Sequence, residues 1–183
     1  MLKYIKSNKS MALQRPKLGL YVDDSNLYYR GKASGWMIDY KKLYQWVAKE
    51  NNIIYAKYFM GMPGWEPARS INEAFAKYYK GVGYQIIQKP LKKIKDLQGK
   101  NGFRNKCNFD VEIHDEIIKD LANIDMVYLV SGDSDFVRTK ETILKAGKKI
   151  KFLAYENNCA WEIRNSWHVF LDEIRNEIER MVP

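Results

Sequence analysis

Cysteine and histidine are the scarcest reactive residues in this 183-residue chain, with only Cys107, Cys159, His114 and His168. Two cysteines outside any CxxC pair cannot build a disulfide framework. Two histidines so far apart in sequence do not make a zinc centre. No apolar stretch approaches the roughly 20 residues that a membrane helix needs. The leader MLKYIKSNKSMALQRP is basic but lacks the apolar segment of a secretion signal. A soluble, cytoplasmic protein with no membrane partner is expected. There is no GxGxxG, no GxxxxGK[ST] and no GxSxG, so neither a phosphate-cradling glycine loop nor an α/β-hydrolase nucleophile has its sequence basis.

What is present is enough apolar material for a core. Hydrophobic residues make up 46% of the chain and charged ones 29%, which excludes a disordered or fibrous protein. At roughly 150 residues per domain, the sequence reads as a basic leader over 1–16 and one globular domain over 17–183. The formal charge of +9 favours a polyanionic partner, nucleic acid first.

Strands and helices alternate along the chain. Leu18 to Val22 is a short apolar run that stops at Asp23-Asp24-Ser25-Asn26, the pattern of a strand buried on both faces. Leu43, Trp46 and Val47 have the spacing of a core-facing helix. Ile53 to Met60 and Tyr84 to Gln88 read as strands. Between them, Ser70-Ile71-Asn72-Glu73 has the form of a capping box. Asp110 to Leu121 is helical in pattern, and Met126 to Val130 is the clearest strand. A further helix ends at Gly147, a fifth strand spans Lys149 to Tyr155, and Ala160 to about Met181 reads as helix in one or two pieces. This alternation predicts an α/β fold, a parallel sheet of about five strands between helical layers.

Ligand sites of open parallel sheets lie beyond the carboxyl ends of the strands, where strand order reverses. Two strands here end in acidic turns, one at Asp23 and Asp24, the other at Asp133 and Asp135. If the two strands are neighbours, as order 3-2-1-4-5 requires, these carboxylates converge, and Asp110 opens a helix that points into the same space. Packed carboxylates repel one another, and a divalent cation removes that cost. Oxygen ligands without His or Cys suit Mg²⁺ or Mn²⁺, and a carboxylate-held cation in a basic protein suggests phosphodiester hydrolysis. The plainer reading is that aspartates at strand-to-helix junctions cap helices; it explains any one of them, whereas convergence of several argues for a site.

From Lys89 to Lys106 the chain carries seven Lys or Arg residues against the single acid Asp96. This segment reads as an exposed loop or extension. Lys92, Lys93, Lys95, Lys100, Arg104 and Lys106 are candidates for tracking a nucleic-acid backbone, although a solvated loop that aids solubility has the same composition. Tyr28, Tyr29, Trp36 and Trp65 fall near strand ends, where bases could stack on some of them, although most aromatics in a domain this size fill the core or prop loops. His114 and His168 read as packing residues, and Cys107 as a plain thiol.

Three segments carry a family resemblance. YVDDSNLYY at Tyr21 to Tyr29 resembles the first-strand motif of NYN domains, the PIN-like nuclease group that includes LabA-like bacterial proteins. Asp23 and Asn26 match the motif, and Asp24 stands where the family usually has a small residue. KCNFDVEI at Lys106 to Ile113 is similar to the family's Lys-Gly-Asn-x-Asp-Val segment, with Cys107 where glycine is common. VYLVSGDSDF at Val127 to Phe136 is close to its most specific block. The resemblance implies a three-layer PIN-like fold with strand order 3-2-1-4-5 and metal-dependent ribonuclease chemistry that leaves 5′-phosphate and 3′-hydroxyl ends.

By position, the resemblance makes Asp23, Asp110, Asp133 and Asp135 the metal-binding acids, with Asn26 and Ser131 as polar helpers. A further helix acid expected after the middle motif falls on Asp115 or Glu116, and His168 stands near a place where the family often has Asp. The expectation is therefore a Mg²⁺- or Mn²⁺-dependent ribonuclease acting on single-stranded or structured RNA, as a monomer or a homo-oligomer. Its rivals are a non-catalytic RNA-binding or regulatory module on the same fold and a metal-dependent phosphatase.

Overall fold

The computed structural model describes residues 15–95, 102–157 and 159–181. The expected leader over 1–16 therefore lies almost wholly outside the described residues. In chain order the elements are β1 (Lys17–Asp23), α1 (Asp24–Ser34), α2 (Tyr40–Ala48), β2 (Asn52–Met62), α3 (Ala68–Val82) and β3 (Gln85–Pro90). A hairpin of β4 (Lys92–Lys95) and β5 (Phe103–Lys106) follows, then α4 (Asp110–Asp120), β6 (Met126–Val130), α5 (Val137–Lys145) and β7 (Lys149–Ala154). The chain finishes with α6 (Trp161–Arg164), β8 (His168–Phe170) and α7 (Arg175–Ile178).

The main sheet is parallel throughout, in the order β3-β2-β1-β6-β7-β8. Its strands alternate side chains between two cores, as the period of two requires. Leu18, Leu20, Val22, Tyr58, Met60 and Val130 face α2, α3 and the C-terminal segment. Tyr21, Phe59, Val127, Leu129 and Phe152 pack against Ile113 and Ile117 of α4 and Ile143 of α5. Burial on both faces is why the central strands read as unbroken apolar runs.

Strand order agrees with 3-2-1-4-5 over the first five strands, and the sheet then gains a sixth. The sixth is β8, from a segment whose sequence reads as helix. Trp167-His168-Val169-Phe170 is aromatic and β-branched, and β7 offers it a free edge: the Phe152 amide donates to the Trp167 carbonyl at 2.9 Å. The basic stretch expected as a loop is a small antiparallel hairpin, with Lys92 opposite Lys106 and Lys95 opposite Phe103. Its apolar content is too low for a strand pattern to stand out. The capping box does not form, because α3 begins earlier, at Ala68; the Ser70 hydroxyl and amide both donate to Glu66 Oε2 instead. By contrast Gly147 does follow α5 with φ +73°, a conformation that glycine adopts without strain.

A charged group lies under the sheet. Lys57, only 3% exposed on β2, reaches Glu116 and Asp120 of α4, each at 2.5 Å, and the Tyr21 hydroxyl donates to Asp120 at 2.8 Å. The spacing i, i+4 puts both acids on one helix face, so this cluster pins α4 to β1 and β2. Removing one partner of a buried pair costs about 3–5 kcal/mol, because the remaining charges lose their compensation. Lys57→Met is therefore expected to lower stability by about that amount in urea unfolding. The Lys57 hydrogen bond holds the Glu116 carboxyl below its ordinary range. A depressed carboxyl stabilises above its unfolded-state pKa and loses that contribution as pH falls through the folded value. Unfolding midpoints between pH 5 and 3 should accordingly fall less steeply in Glu116→Gln than in the wild type.

Candidate acidic site

β1 and β6 lie side by side and end together, with Val22 opposite Val130. The residues that follow each strand are thereby delivered to one place. Asp23 closes β1 at 3% exposure and caps α1, its Oδ1 accepting from the Asn26 amide at 3.3 Å and the Ser25 hydroxyl at 2.7 Å. Its other oxygen accepts from the Ser131 hydroxyl at 3.2 Å, and that hydroxyl accepts in turn from the Asp133 amide at 3.3 Å. Asn26 closes the circuit, its Oδ1 accepting from the Gly132 amide at 3.3 Å. Asp133 caps the short turn after β6, accepting from the Asp135 amide at 3.1 Å. Asp110 opens α4, where its amide donates to the Asn108 side chain at 2.9 Å.

Asp23, Asn26, Asp110, Asp133 and Asp135 all line a single cavity of about 920 Å³. Ser131 is fully buried behind it. The capping reading and the convergence reading thus both hold for Asp23 and Asp133, which do each job with the same carboxylate.

Electrostatics in the cavity favour a cation. Burial pushes the Asp23 carboxyl up to about 6, against hydrogen bonds from Ser25, Asn26 and Ser131 that pull it down. Asp110 is raised first by burial and further by the charges of Asp133 and Asp135. Asp24 is also pushed to about 6 by burial, while the Tyr58 and Tyr40 hydroxyls hold its charge in place. The chemistry of the donor set, carboxylate oxygens only, fits a hard divalent cation. Among the described residues, no three His, Cys, Asp or Glu side chains are already gathered at the spacing of an ion cage.

The remaining candidates separate. Lys106 lines the same cavity, and Lys92, Lys93 and Lys95 stand on the hairpin beside it, tied to α1 where the Tyr29 hydroxyl donates to the Asn105 carbonyl at 3.0 Å. The Arg104 backbone belongs to β5, and Lys100 lies outside the described residues. Glu116 is engaged by Lys57, and Asp115 is exposed away from the cavity, so neither joins the acids. Trp36 is not a stacking platform, because it is buried and its Nε1 donates to Asp172 at 3.2 Å. His114 meets the Thr139 hydroxyl and His168 the Ser166 carbonyl, each at 2.9 Å, as packing residues do. Burial raises the Cys107 thiol. The wall formed by Ile71, Asn72 and Phe75 of α3 was not legible, because Ser70 to Glu73 read as a capping box opening a helix.

The NYN domain family profile matches residues 17–177, and the chain belongs to that family. It is 26% identical over 174 residues to the low amplitude and bright protein LabA of Synechococcus elongatus, covering 93% of this chain and 91% of LabA. Its fold is similar to that of a crystallised protein of unknown function from Vibrio parahaemolyticus, with a TM-score of 0.73 and 22% identity over 92% of this chain and 99% of the other. Among the described residues, no helix is long and apolar enough to cross a membrane.

A carboxyl whose pKa is raised by burial stabilises the fold while protonated and loses that contribution as pH rises through the folded value, here about 6. Asp23→Asn keeps an acceptor for the cap and removes the charge. It is expected to stabilise the metal-free protein at pH 7.5 by on the order of 1–3 kcal/mol, with the gain shrinking below pH 6. Urea unfolding in EDTA measures both, and a stability loss at pH 7.5 would show that the hydrogen bonds outweigh the burial cost.

Proposed function

We propose that this NYN domain is a ribonuclease that hydrolyses phosphodiester bonds with Mg²⁺ or Mn²⁺ at the acidic end of the cavity. The observation that carries this reading is the convergence of Asp23, Asp110, Asp133 and Asp135 on one cavity in a chain of net charge +9. Those four carboxylates would hold the cation, which when bound supplies charge stabilisation at the phosphate and an activated water. Ser131 and Asn26 act as positioning residues: the first fixes Asp23 against the turn carrying Asp133, and the second locks that turn to α1. The occupant is RNA in the cytoplasm, approaching along the lysine-bearing hairpin.

The hairpin supports a polyanionic partner. Lys92 and Lys106 are cross-strand partners, and like charges directly opposite destabilise a hairpin. Lys89 is neutralised by Glu112, but among the described residues Lys92 and Lys106 form no salt bridge with an acid. Phosphates on this face remove the repulsion.

The test is incubation of the purified chain with end-labelled single-stranded and hairpin RNA in Mg²⁺, Mn²⁺ or EDTA, beside Asp133→Asn. Cleavage is expected in metal only, falling by about 100-fold or more in the variant; unchanged turnover in a clean preparation overturns the assignment. Salt-sensitive binding that survives EDTA, with no cleavage in any metal, moves the protein to a non-catalytic RNA-binding module. Turnover of a small phosphomonoester points to a phosphatase. Neutralising Lys92, Lys93 and Lys95 together should weaken binding alike across RNA sequences. For single-stranded RNA it should also reduce the slope of log K against log salt by roughly two, and an unchanged slope would remove the hairpin from the interface.

A further inference from the structure

Aromatic and apolar side chains share the cavity with the acids. Its volume of about 920 Å³ lies near the top of the roughly 300–1,000 Å³ range of ligand pockets, more space than a cation and one phosphate fill. Trp65, Ile71, Asn72 and Phe75 form one wall of the cavity, with Tyr28 contributed by α1. These apolar groups are not sealed into the core: Trp65 is 46% exposed and Tyr28 39%.

Cations accompany the rings. Lys32 Nζ lies 4.4 Å from the Tyr28 ring centre, and the Arg180 guanidinium 5.2 Å from that of Phe75; both residues line the cavity. Within the same wall, the Asn72 amide nitrogen donates to the Gly61 carbonyl at 3.0 Å, which orients the group. Its Oδ1 is enclosed within the protein and is closed to a ligand. Exposed rings with flanking cations describe a receptor for something planar and anionic at one edge.

We propose that this aromatic wall of the cavity is a nucleobase subsite, in which Trp65 stacks one unpaired base of the nucleotide whose phosphate lies at the acids. The subsite rests on the reading of the acidic end as a phosphodiester site, and it adds a recognition element that the acids do not contain. Tyr28 and Phe75 border the base, and Lys32 and Arg180, each set against one of those rings, add positive charge beside it. A base paired within a duplex is not free to enter, so the nucleotide beside the scissile bond must be unpaired.

Calorimetric titration of the full chain in Mg²⁺ with each of the four nucleoside 5′-monophosphates, and with ribose 5-phosphate, tests this directly. At least one nucleotide is expected to bind about tenfold more tightly than the sugar phosphate, the scale of stacking one base on an aromatic side chain. Trp65→Ala should abolish that difference while leaving ribose 5-phosphate affinity unchanged, and Trp65→Phe should restore most of it. Thermal melts check that each variant is folded. Equal affinities for nucleotides and sugar phosphate, no binding by either, or a preference untouched in Trp65→Ala overturns the subsite. Base-dependent binding without RNA cleavage keeps the subsite and overturns the nuclease; cleavage without base-dependent binding does the reverse.

Discussion

Asp23 sits where the central strand of a parallel sheet runs out, and its carboxylate is committed three times over. It caps α1, takes the Ser131 hydroxyl from the neighbouring strand end, and faces the cavity. The pairing of β1 with β6 makes this knot possible, because parallel neighbours end on the same side and their following turns must share space. Ser131 passes the connection to Asp133, and Asn26 returns it to α1. The positions of Asp23 and Asp133 are thus set by fold topology, with little left to loop flexibility.

How much of this was legible depends on how each residue is encoded. Strands buried on both faces announce themselves as apolar runs, so β1, β2, β6 and β7 could be read directly, as could the acids at the ends of β1 and β6. The order of the first five strands follows from parallel connectivity and family resemblance. β8 was hidden because His168–Phe170 is three residues long and is recruited by the edge of β7, a tertiary effect that no local pattern carries. The hairpin was hidden for the opposite reason, since a strand rich in lysine resembles a solvated loop. Lys57 illustrates a third case. A lysine inside an apolar strand signals a buried partner, but only the fold reveals Glu116 and Asp120 as that partner.

Asp24 shows how a departure from a family pattern is absorbed. A second acid beside Asp23 adds repulsion in a poorly solvated place, and its carboxyl is raised accordingly. The Tyr58 hydroxyl donates to it, and Tyr58 packs against Tyr40 and Tyr79 in a nest of aromatic rings. The extra charge is therefore tied to the core beneath the cavity by hydroxyl donors. That arrangement also makes the floor polar at one point and aromatic around it.

Under the proposed function the charge distribution has to reconcile an acidic centre with an anionic partner. A polyanion is repelled by four carboxylates and attracted by the lysines of the hairpin and the cations beside the aromatic wall. Screening limits these attractions to about 8 Å at physiological ionic strength, so the cations must lie close to the path of the backbone to act on it. Lys106 meets that condition by lining the cavity itself, and Lys32 and Arg180 meet it at the aromatic wall. Under the proposed function the acids would form a local minimum for a divalent cation inside a positive surround, and burial, which makes Asp23 costly as a bare charge, would strengthen its hold on an opposite one. The burial that makes Asp23 costly as a bare charge would then be the source of the site's affinity for a cation.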